Sequence, residues 1–350
     1  VNRNAFEIVH CLESLGGVLD GFTSRDLTCY YARCLDEHAP VAIEVLADML
    51  QYSRLDPDEI EKEKRVVLEE IQNVEDTPDD WIHDLFAKSV WGTHPIAEPI
   101  QGTPQSVVEF TRERLCHYLE MHYVPERMVI AAAGNLEHDA MVDLVRRWFV
   151  MDRQGVSLLE RNPPAFTEQA SLHYRKEIGQ THVCLGTTAC SYTHPRRYEH
   201  LVVNTALGEG MSSRLFQQIR ERLGLAYSVY SYLEMLEDTG IFGTYMACES
   251  TRLEQAIDIA YAELSRLRKD GISESELESA KAQLKGKLIL GSESMDNRMG
   301  RIAQQEFYTG QYRTTEAALD AIKKITLRGV WEASQELLDA SNMHQVTVGP

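Results

Sequence analysis

Two glutamates in the charged segment Asp58 to Val74 have a spacing that could serve a metal site. The apolar residues of this segment recur at helical spacing, which places Glu63 and Glu70 on one edge of the predicted helix, about 10.5 Å apart along its axis. At that separation they cannot both bind one ion directly, so one direct ligand with one outer partner is the arrangement that fits. The alternative is a solvated helix face that carries Glu–Lys pairs.

A second pair of candidates, Arg220 and Tyr227, lies where a predicted helix ends at Gly224 and a strand begins. Arg220 falls in the last turn of the helix, where the helix dipole favours a cation whatever the function. Tyr227 opens the strand, where aromatic residues are common. Spacing alone therefore explains both residues structurally and does not assign them a function.

The elements that must position these residues occur twice in the same order, at an offset of 214 to 217 residues. Each copy is predicted to contain a helix that ends at glycine, two strands, a helix and a charged helix. The first copy is predicted at Ala5–Leu15, Val18–Cys34, Ala39–Tyr52 and Asp58–Val74. The second copy is predicted at Ser212–Arg222, Ala226–Leu233, Gly240–Cys248, Leu253–Leu267 and Glu274–Leu290.

The remaining segments complete an α+β protein with two similarly folded halves. Further helices are predicted at 81–91, 104–122 and 137–149, with a buried strand at Met128 to Gly134. Periodicity fails and two prolines occur around 156–170, which predicts a linker between an N-terminal half at 1–155 and a C-terminal half at 171–350. Each half is expected to form a largely antiparallel sheet with helices mainly on one face.

The repeat makes the two glutamates more informative than their spacing does. At the positions equivalent to Glu63 and Glu70, the second half has Ala280 and Lys287. A scaffold role shared by both halves therefore does not require the carboxylates, and a function of the first half alone becomes the better interpretation.

Composition excludes several classes of protein. The chain has 350 residues with a formal net charge of -19, which argues against a nucleic-acid or anionic-membrane partner, and its apolar runs are too short to span a bilayer. The seven cysteines include no C-x-x-C pair, so we expect free thiols and a cytoplasmic protein, with the periplasm as the alternative. His173, His182, His194 and His200 show no spacing typical of metal ligands.

An ordered set of motifs resembles the pitrilysin/insulinase family of zinc peptidases, and within it the bacterial branch that is like the mitochondrial processing peptidase. The set includes the segments at 15–17, 22–25, 28–32, 61–71, 75–80, 94–95, 132–135, 212–216 and 224–228. The resemblance implies zinc ligation by Glu70, a supporting catalytic role for the acidic Glu63, and peptide contacts by Arg220 and Tyr227. It also implies a clamshell of two halves, a polypeptide substrate and a homodimer.

One departure from the family pattern concerns the zinc site itself. The H-x-x-E-H motif, which supplies two histidine ligands and the general base in this family, is absent from the 350 residues. The nearest similar segment, Cys34 to His38, lacks the first histidine. We expect the motif about seven residues before Val1, and we expect this chain to bind no stoichiometric zinc, because catalytic zinc normally needs three protein ligands.

Two hypotheses follow from the resemblance. In the first, the chain belongs to a zinc-dependent endopeptidase and is inactive in the form given, without its H-x-x-E-H segment. In the second, it is a non-catalytic subunit that binds peptides or serves as a structural partner. The residues immediately upstream of Val1 distinguish the two.

Overall fold

The computed structural model describes residues 3–151, 153, 161–165 and 167–350. The chain divides into two compact units. Unit 1 comprises Val1–Ile71, Ile100–Arg161 and Ser292–Gly310, and unit 2 comprises Gln72–Pro99, Asn162–Gly291 and Gln311–Pro350. Residues 156–160 and 166 of the predicted linker lie outside the described residues, and the division into halves at 156–170 stays a prediction.

The secondary structure is mixed, with helices and strands interleaved along the chain. The helices are α1 (Ala5–Glu13), α2 (Ala39–Tyr52), α3 (Pro57–Asp76), α4 (Pro78–Trp91), α5 (Pro104–Val108), α6 (Arg112–His122), α7 (His138–Trp148), α8 (Arg197–Gly208), α9 (Leu253–Asp270), α10 (Glu274–Gly291), α11 (Met295–Thr309), α12 (Thr315–Lys324) and α13 (Leu327–Leu337). The strands are β1 (Val18–Thr23), β2 (Thr28–Arg33), β3 (Ser171–Arg175), β4 (Thr181–Ala189), β5 (Ala226–Met235), β6 (Gly240–Cys248) and β7 (His344–Gly349). No helix within the described ranges is long and apolar enough to cross a membrane.

Unit 1 contains a two-stranded antiparallel sheet, β1 paired with β2, next to α2. Helix α2 buries Ile43, Val45 and Ala47 and packs against α1, β2 and α7. The buried Gln51 ties two of these helices together, since its Nε2 donates to the backbone oxygen of Trp148 at 2.8 Å. The core of this unit is therefore built around one amphipathic helix.

Two predictions for unit 1 were wrong. The helix predicted over 104–122 is broken into α5 and α6, because the Thr111 hydroxyl accepts a hydrogen bond from Arg114 N and starts a new helix. The predicted buried strand Met128 to Gly134 belongs to neither sheet, and Val129 and Ile130 are 38% and 44% exposed. A short apolar run indicates a strand only when a neighbouring strand accepts its backbone hydrogen bonds.

Unit 2 contains a five-stranded sheet in the order β3-β7-β4-β6-β5. All pairs are antiparallel except β3 with β7. The two strands predicted in the second half are confirmed as β5 and β6, and the helices that follow them are confirmed as α9 and α10. Both copies of the predicted order of elements are therefore present, and the α+β fold class is confirmed.

Helices cover both faces of this sheet, although most lie on one. One face carries a large apolar core shared by α8, α9, α10 and α13. The opposite face is covered by α4, whose Ile82, Phe86 and Val90 are fully buried against the residues of β4, β6 and β7. Helix α4, predicted from the first half of the sequence, thus packs within unit 2 and brings its N-terminal turn close to the sheet.

Candidate functional site

Arg220 is positioned by an irregular helical turn. Phe216–Arg222 forms a π-helix, a rare conformation that is frequent at functional sites. The turn ends at Gly224, whose φ of +56° a residue with a side chain rarely adopts, and the next amide, Leu225 N, donates back to Ile219 O at 2.8 Å. This termination reverses the chain directly into β5.

Tyr227 is positioned by a second irregularity. Ala226 pairs with Cys248 and Ser228 pairs with Ala247, so Tyr227 is the extra residue of a β-bulge. A bulge commonly turns one side chain away from the regular pleat. Tyr227 is 74% exposed in consequence, and its ring centroid lies 4.5 Å from the guanidinium carbon of Arg220.

These two residues line an open groove of about 510 Å³ within unit 2. The π-helical turn and β5 form one side of the groove. The first turns of α4 form the other, with the exposed carboxylates of Asp79 and Asp80 and the ring of His83. The groove therefore combines a stacked cation, aromatic rings and a pair of carboxylates.

The side of the groove next to α4 is a connected aromatic network. His83 Nδ1 is 3.2 Å from the Tyr232 hydroxyl, and His83 Nε2 is 3.1 Å from the Tyr230 hydroxyl. Tyr245 packs against Tyr230 with ring centroids 4.9 Å apart, and its hydroxyl is 2.8 Å from His182 Nδ1. The network fixes the side chains of β5 and β6 against α4.

Burial in this network disfavours charged forms of its members. It lowers the pKa of His83 and of His182, and it raises the pKa of Tyr230 to about 12. The neighbouring carboxylates of Asp79 and Asp80 act in the opposite direction on His83. At neutral pH the aromatic network is therefore uncharged, and the negative charge of the groove comes from Asp79 and Asp80.

Strand β5 has the geometry that accepts an extended peptide. Among the described residues it pairs with β6 only, which makes it an edge strand of the sheet. An edge strand offers backbone donors and acceptors to another strand, which gives affinity with little dependence on side chains. Arg220 and Tyr227 stand at the beginning of this edge.

The structure places Glu63 and Glu70 on a different unit from Arg220 and Tyr227. Both glutamates are exposed on α3, whose one buried residue is Ile71. Glu63 lines an open groove of about 1490 Å³ within unit 1, beside Val67. The catalytic role of Glu63 and the metal role of Glu70 stay predictions, as do the peptide contacts of Arg220 and Tyr227.

The residues around Glu70 do not by themselves fit a zinc ion. A catalytic zinc site takes three protein ligands, and α3 offers exposed carboxylates spaced along a helix. Within the part of the chain that the structure describes, one group of three ligand side chains lies close enough to hold an ion, and it consists of Cys190, His194 and His200 in unit 2. We therefore derive no catalytic step through zinc from these residues.

Sequence reasoning missed His83 and the tyrosines of the groove. His83 was part of a predicted helix in the first half, with no reason to associate it with strands more than a hundred residues later. The alternating Tyr230 and Tyr232 were a usable signal, because they place two aromatic side chains on one face of β5.

Comparison with known proteins agrees with this architecture. Residues 1–104 match the family described as Insulinase (Peptidase family M16), and residues 109–284 match the Peptidase M16 inactive domain. The "Uncharacterized zinc protease YmxG" of Bacillus subtilis (strain 168) is 39% identical over 336 residues, which are 96% of this chain and 81% of that protein.

Two solved structures share the fold. The chain aligns over its whole length with 86% of a protease from Helicobacter pylori, at a TM-score of 0.92 and 20% identity. It also aligns over its whole length with 84% of a peptidase M16 inactive domain from Pseudomonas fluorescens, at a TM-score of 0.89 and 21% identity. Two family matches, close relatives and a shared fold establish that this chain belongs to peptidase family M16, the insulinase family.

Proposed function

We propose that this chain is part of a zinc-dependent endopeptidase, in which Arg220 and Tyr227 hold an extended polypeptide and Glu70 is one ligand of the metal. Membership of family M16 and relatives named zinc proteases support the reaction type. The observation that carries the peptide-binding part is the Arg220–Tyr227 pair, which two backbone irregularities hold at the edge of β5.

The groove explains how substrates of varied sequence bind. Backbone hydrogen bonds to the edge of β5 do not depend on substrate side chains. The exposed ring of Tyr227 and the guanidinium of Arg220 add apolar and charged contacts at one end, and Asp79 and Asp80 add negative charge. We therefore propose a substrate that binds in extended form and carries basic residues, and an enzyme that acts as a homodimer.

When bound, zinc supplies an activated water that attacks the peptide carbonyl. The 350 residues contain no H-x-x-E-H, and Glu70 alone does not complete a three-ligand site. We therefore expect this chain to bind peptide without cleaving it. Cleavage requires the histidines and the general base of the motif.

The alternative is a non-catalytic subunit that binds peptides or serves as a structural partner. The groove in unit 2 supports this function, because peptide binding at the edge of β5 needs no metal. It predicts the same binding and no hydrolysis under any condition.

One experiment separates the two functions. The 350-residue chain and a chain extended by the natural upstream residues are compared for cleavage of an unfolded peptide with added zinc. We expect cleavage by the extended chain only, loss of cleavage in Glu70→Gln, and retention in the matched variant Glu69→Gln, which alters an exposed neighbour on the same helix. An extended chain that carries the motif and fails to cleave contradicts the enzymatic proposal, and an upstream segment without the motif selects the alternative.

A further inference from the structure

A second group of ligand side chains lies far along the chain from Glu70, where β4 ends and α8 begins. Cys190 follows the last residue of β4, His194 lies in the connecting turn, and His200 lies on the first turn of α8. One ligand atom from each of the three lies within 4.8 Å of the other two. The rings of His194 and His200 meet edge to face with centroids 5.6 Å apart.

His200 has the hydrogen-bonding pattern of a metal ligand. Its Nε2 is 3.2 Å from Oε2 of Glu336 on α13, so this nitrogen carries the proton and donates to the carboxylate. Its Nδ1 is buried and has no hydrogen-bond partner in the described part of the chain, although the residue is only 2% exposed. A histidine that ligates a metal typically donates its other ring N–H to a carboxylate, while an unpaired buried nitrogen is otherwise costly.

His194 and Cys190 each offer one atom to the same ion. Nδ1 of His194 accepts from the backbone N–H of Arg196 at 3.2 Å, which leaves Nε2 as the nitrogen available to an ion. The half-buried Cys190 thiol places its sulfur within 4.8 Å of a ring nitrogen of each histidine. An ion bound here displaces the thiol proton to solvent and takes the thiolate as ligand.

We propose that Cys190, His194 and His200 form a binding site for Zn²⁺, with Glu336 as the carboxylate that orients His200. One thiolate with two imidazoles suits zinc, whereas magnesium and calcium prefer oxygen ligands. The three side chains leave one of the four tetrahedral positions for water. The site shares no residue with the proposed peptidase function and does not depend on it.

Binding requires a small closure of the turn. Zinc–sulfur and zinc–nitrogen bond lengths place tetrahedral ligand atoms roughly 3.5 Å apart, so the present spacing of up to 4.8 Å contracts by about 1 Å. The seven residues from Cys190 to Arg196 span this connection and lie outside any helix or strand. The ion therefore fastens the end of β4 to the start of α8.

Zinc at this site contradicts the expectation that the chain binds no stoichiometric zinc. That expectation considered only the family site at Glu70. The spacing C-x3-H-x5-H was not recognised as a ligand pattern, because its residues come from a strand end, a turn and a helix, and only the fold brings them together.

The test uses the reduced, metal-free 350-residue chain. Titration with Co²⁺ is expected to give one ion per chain and a sulfur-to-cobalt charge-transfer band, and Zn²⁺ is expected to displace the cobalt. Cys190→Ser should abolish the band and weaken zinc binding at least tenfold. Glu336→Gln should keep the band and weaken binding roughly tenfold to a hundredfold.

Two matched variants show whether the loss of cobalt and zinc binding is specific to this site. Cys116→Ser removes a half-buried thiol on α6, and Glu70→Gln removes the ligand predicted for the catalytic metal; both should bind cobalt and zinc like the unaltered chain. Circular dichroism establishes that each variant is folded, and Glu336→Gln replaces Cys190→Ser as the decisive variant if the latter unfolds. The proposal is overturned if the unaltered chain gives no charge-transfer band, if the band survives in a folded Cys190→Ser, or if Glu336→Gln binds zinc unchanged.

Discussion

The guanidinium carbon of Arg220 lies 4.5 Å from the ring centroid of Tyr227 and 4.7 Å from that of Phe216. A regular helix and a regular strand would not produce this arrangement. The π-helical turn carries Phe216 and Arg220 together, and the β-bulge turns Tyr227 toward them. The cation is thus held between two rings, one of which remains open to a ligand.

Replacing Arg220 by lysine should weaken peptide binding although it preserves the charge. An ammonium group cannot reproduce the planar stacking of guanidinium on the two rings, and a cation–π contact at a partly exposed site is worth about 1 kcal/mol. We expect a roughly fivefold rise in Kd, measured by fluorescence anisotropy with a labelled unfolded peptide.

Two variants serve as controls for the stacked pair. Arg222→Lys changes an exposed arginine two residues away, whose guanidinium bonds only weakly to Gln218 at 3.4 Å, and it should leave Kd unchanged. Tyr227→Phe keeps the ring and should also bind normally. Equal Kd values for Arg220→Lys and the unaltered chain would show that the stacking does not contribute to binding.

Neutralising Asp79 and Asp80 should reduce the preference for basic peptides. Both carboxylates are exposed at the groove, so their attraction acts through solvent and is screened by salt. We expect the double variant to Asn to bind a lysine-rich peptide several-fold more weakly at low salt, with the difference shrinking as salt is raised.

The matched control for this prediction is Asp258→Asn, which removes an exposed carboxylate from α9 of the same unit. Titrations of a lysine-rich and a neutral peptide against each variant supply the comparison. If the neutral peptide loses as much affinity as the basic one, the aspartates act on the structure of the groove and not through their charge.

Sequence patterns predicted the elements with clear periodicity and strong end signals. The helix at 39–52 and the strands at Ala226 and Gly240 were recovered because their apolar spacing and flanking glycines are local properties. The strand at Met128 was wrong because pairing is a non-local property. An apolar run contains no information about whether a partner strand is next to it.

For the candidate groove, the sequence likewise identified some residues but not the contacts between them. Arg220 and Tyr227 were identified through family resemblance, whereas their mutual stacking depends on a π-turn and a bulge that no local rule predicts. His83 could not be found, because it reaches the groove only through the packing of α4 on the distant strands.

The ion pair between Arg214 and Glu276 should make stability depend on pH in the acidic range. Arg214 Nε and Nη2 donate to the two carboxylate oxygens at 2.6 and 2.9 Å, and the backbone N–H of Ser273 donates at 2.8 Å. The Arg214 hydrogen bond is the main reason that the pKa of Glu276 falls to about 2 from its usual 4.5. Because the folded state lowers this pKa, the stabilisation is complete above pH 4.5 and is lost as pH falls toward 2.

Glu276→Gln is therefore expected to lower the free energy of unfolding at pH 7 by about 1–2 kcal/mol, after allowance for solvent screening of this partly exposed pair. Urea unfolding at pH 7 and at pH 3 should show the difference from the unaltered chain shrinking at the lower pH. Glu274→Gln, at an exposed neighbouring position, should change stability by less than about 0.5 kcal/mol. A difference for Glu276→Gln that is the same at both pH values would rule out ionisation as its source.

Gly243 on β6 should be intolerant of alanine, because the Tyr232 ring occupies the space of its missing side chain. The two residues are direct cross-strand partners, and a Cβ at Gly243 would lie 2.3 Å from Cζ of Tyr232. Relief requires the ring to move, and with it the hydroxyl that bonds to His83. We expect Gly243→Ala to lower the free energy of unfolding by about 2 kcal/mol and to weaken peptide binding.

Gly286→Ala on α10 is the control, since a Cβ there meets no atom within 4 Å and alanine favours a helix by about 1 kcal/mol. Both variants are measured by urea unfolding and by fluorescence anisotropy with a labelled peptide. If Gly243→Ala is as stable as Gly286→Ala, the Tyr232 ring is free to move and the network around His83 does not fix the groove.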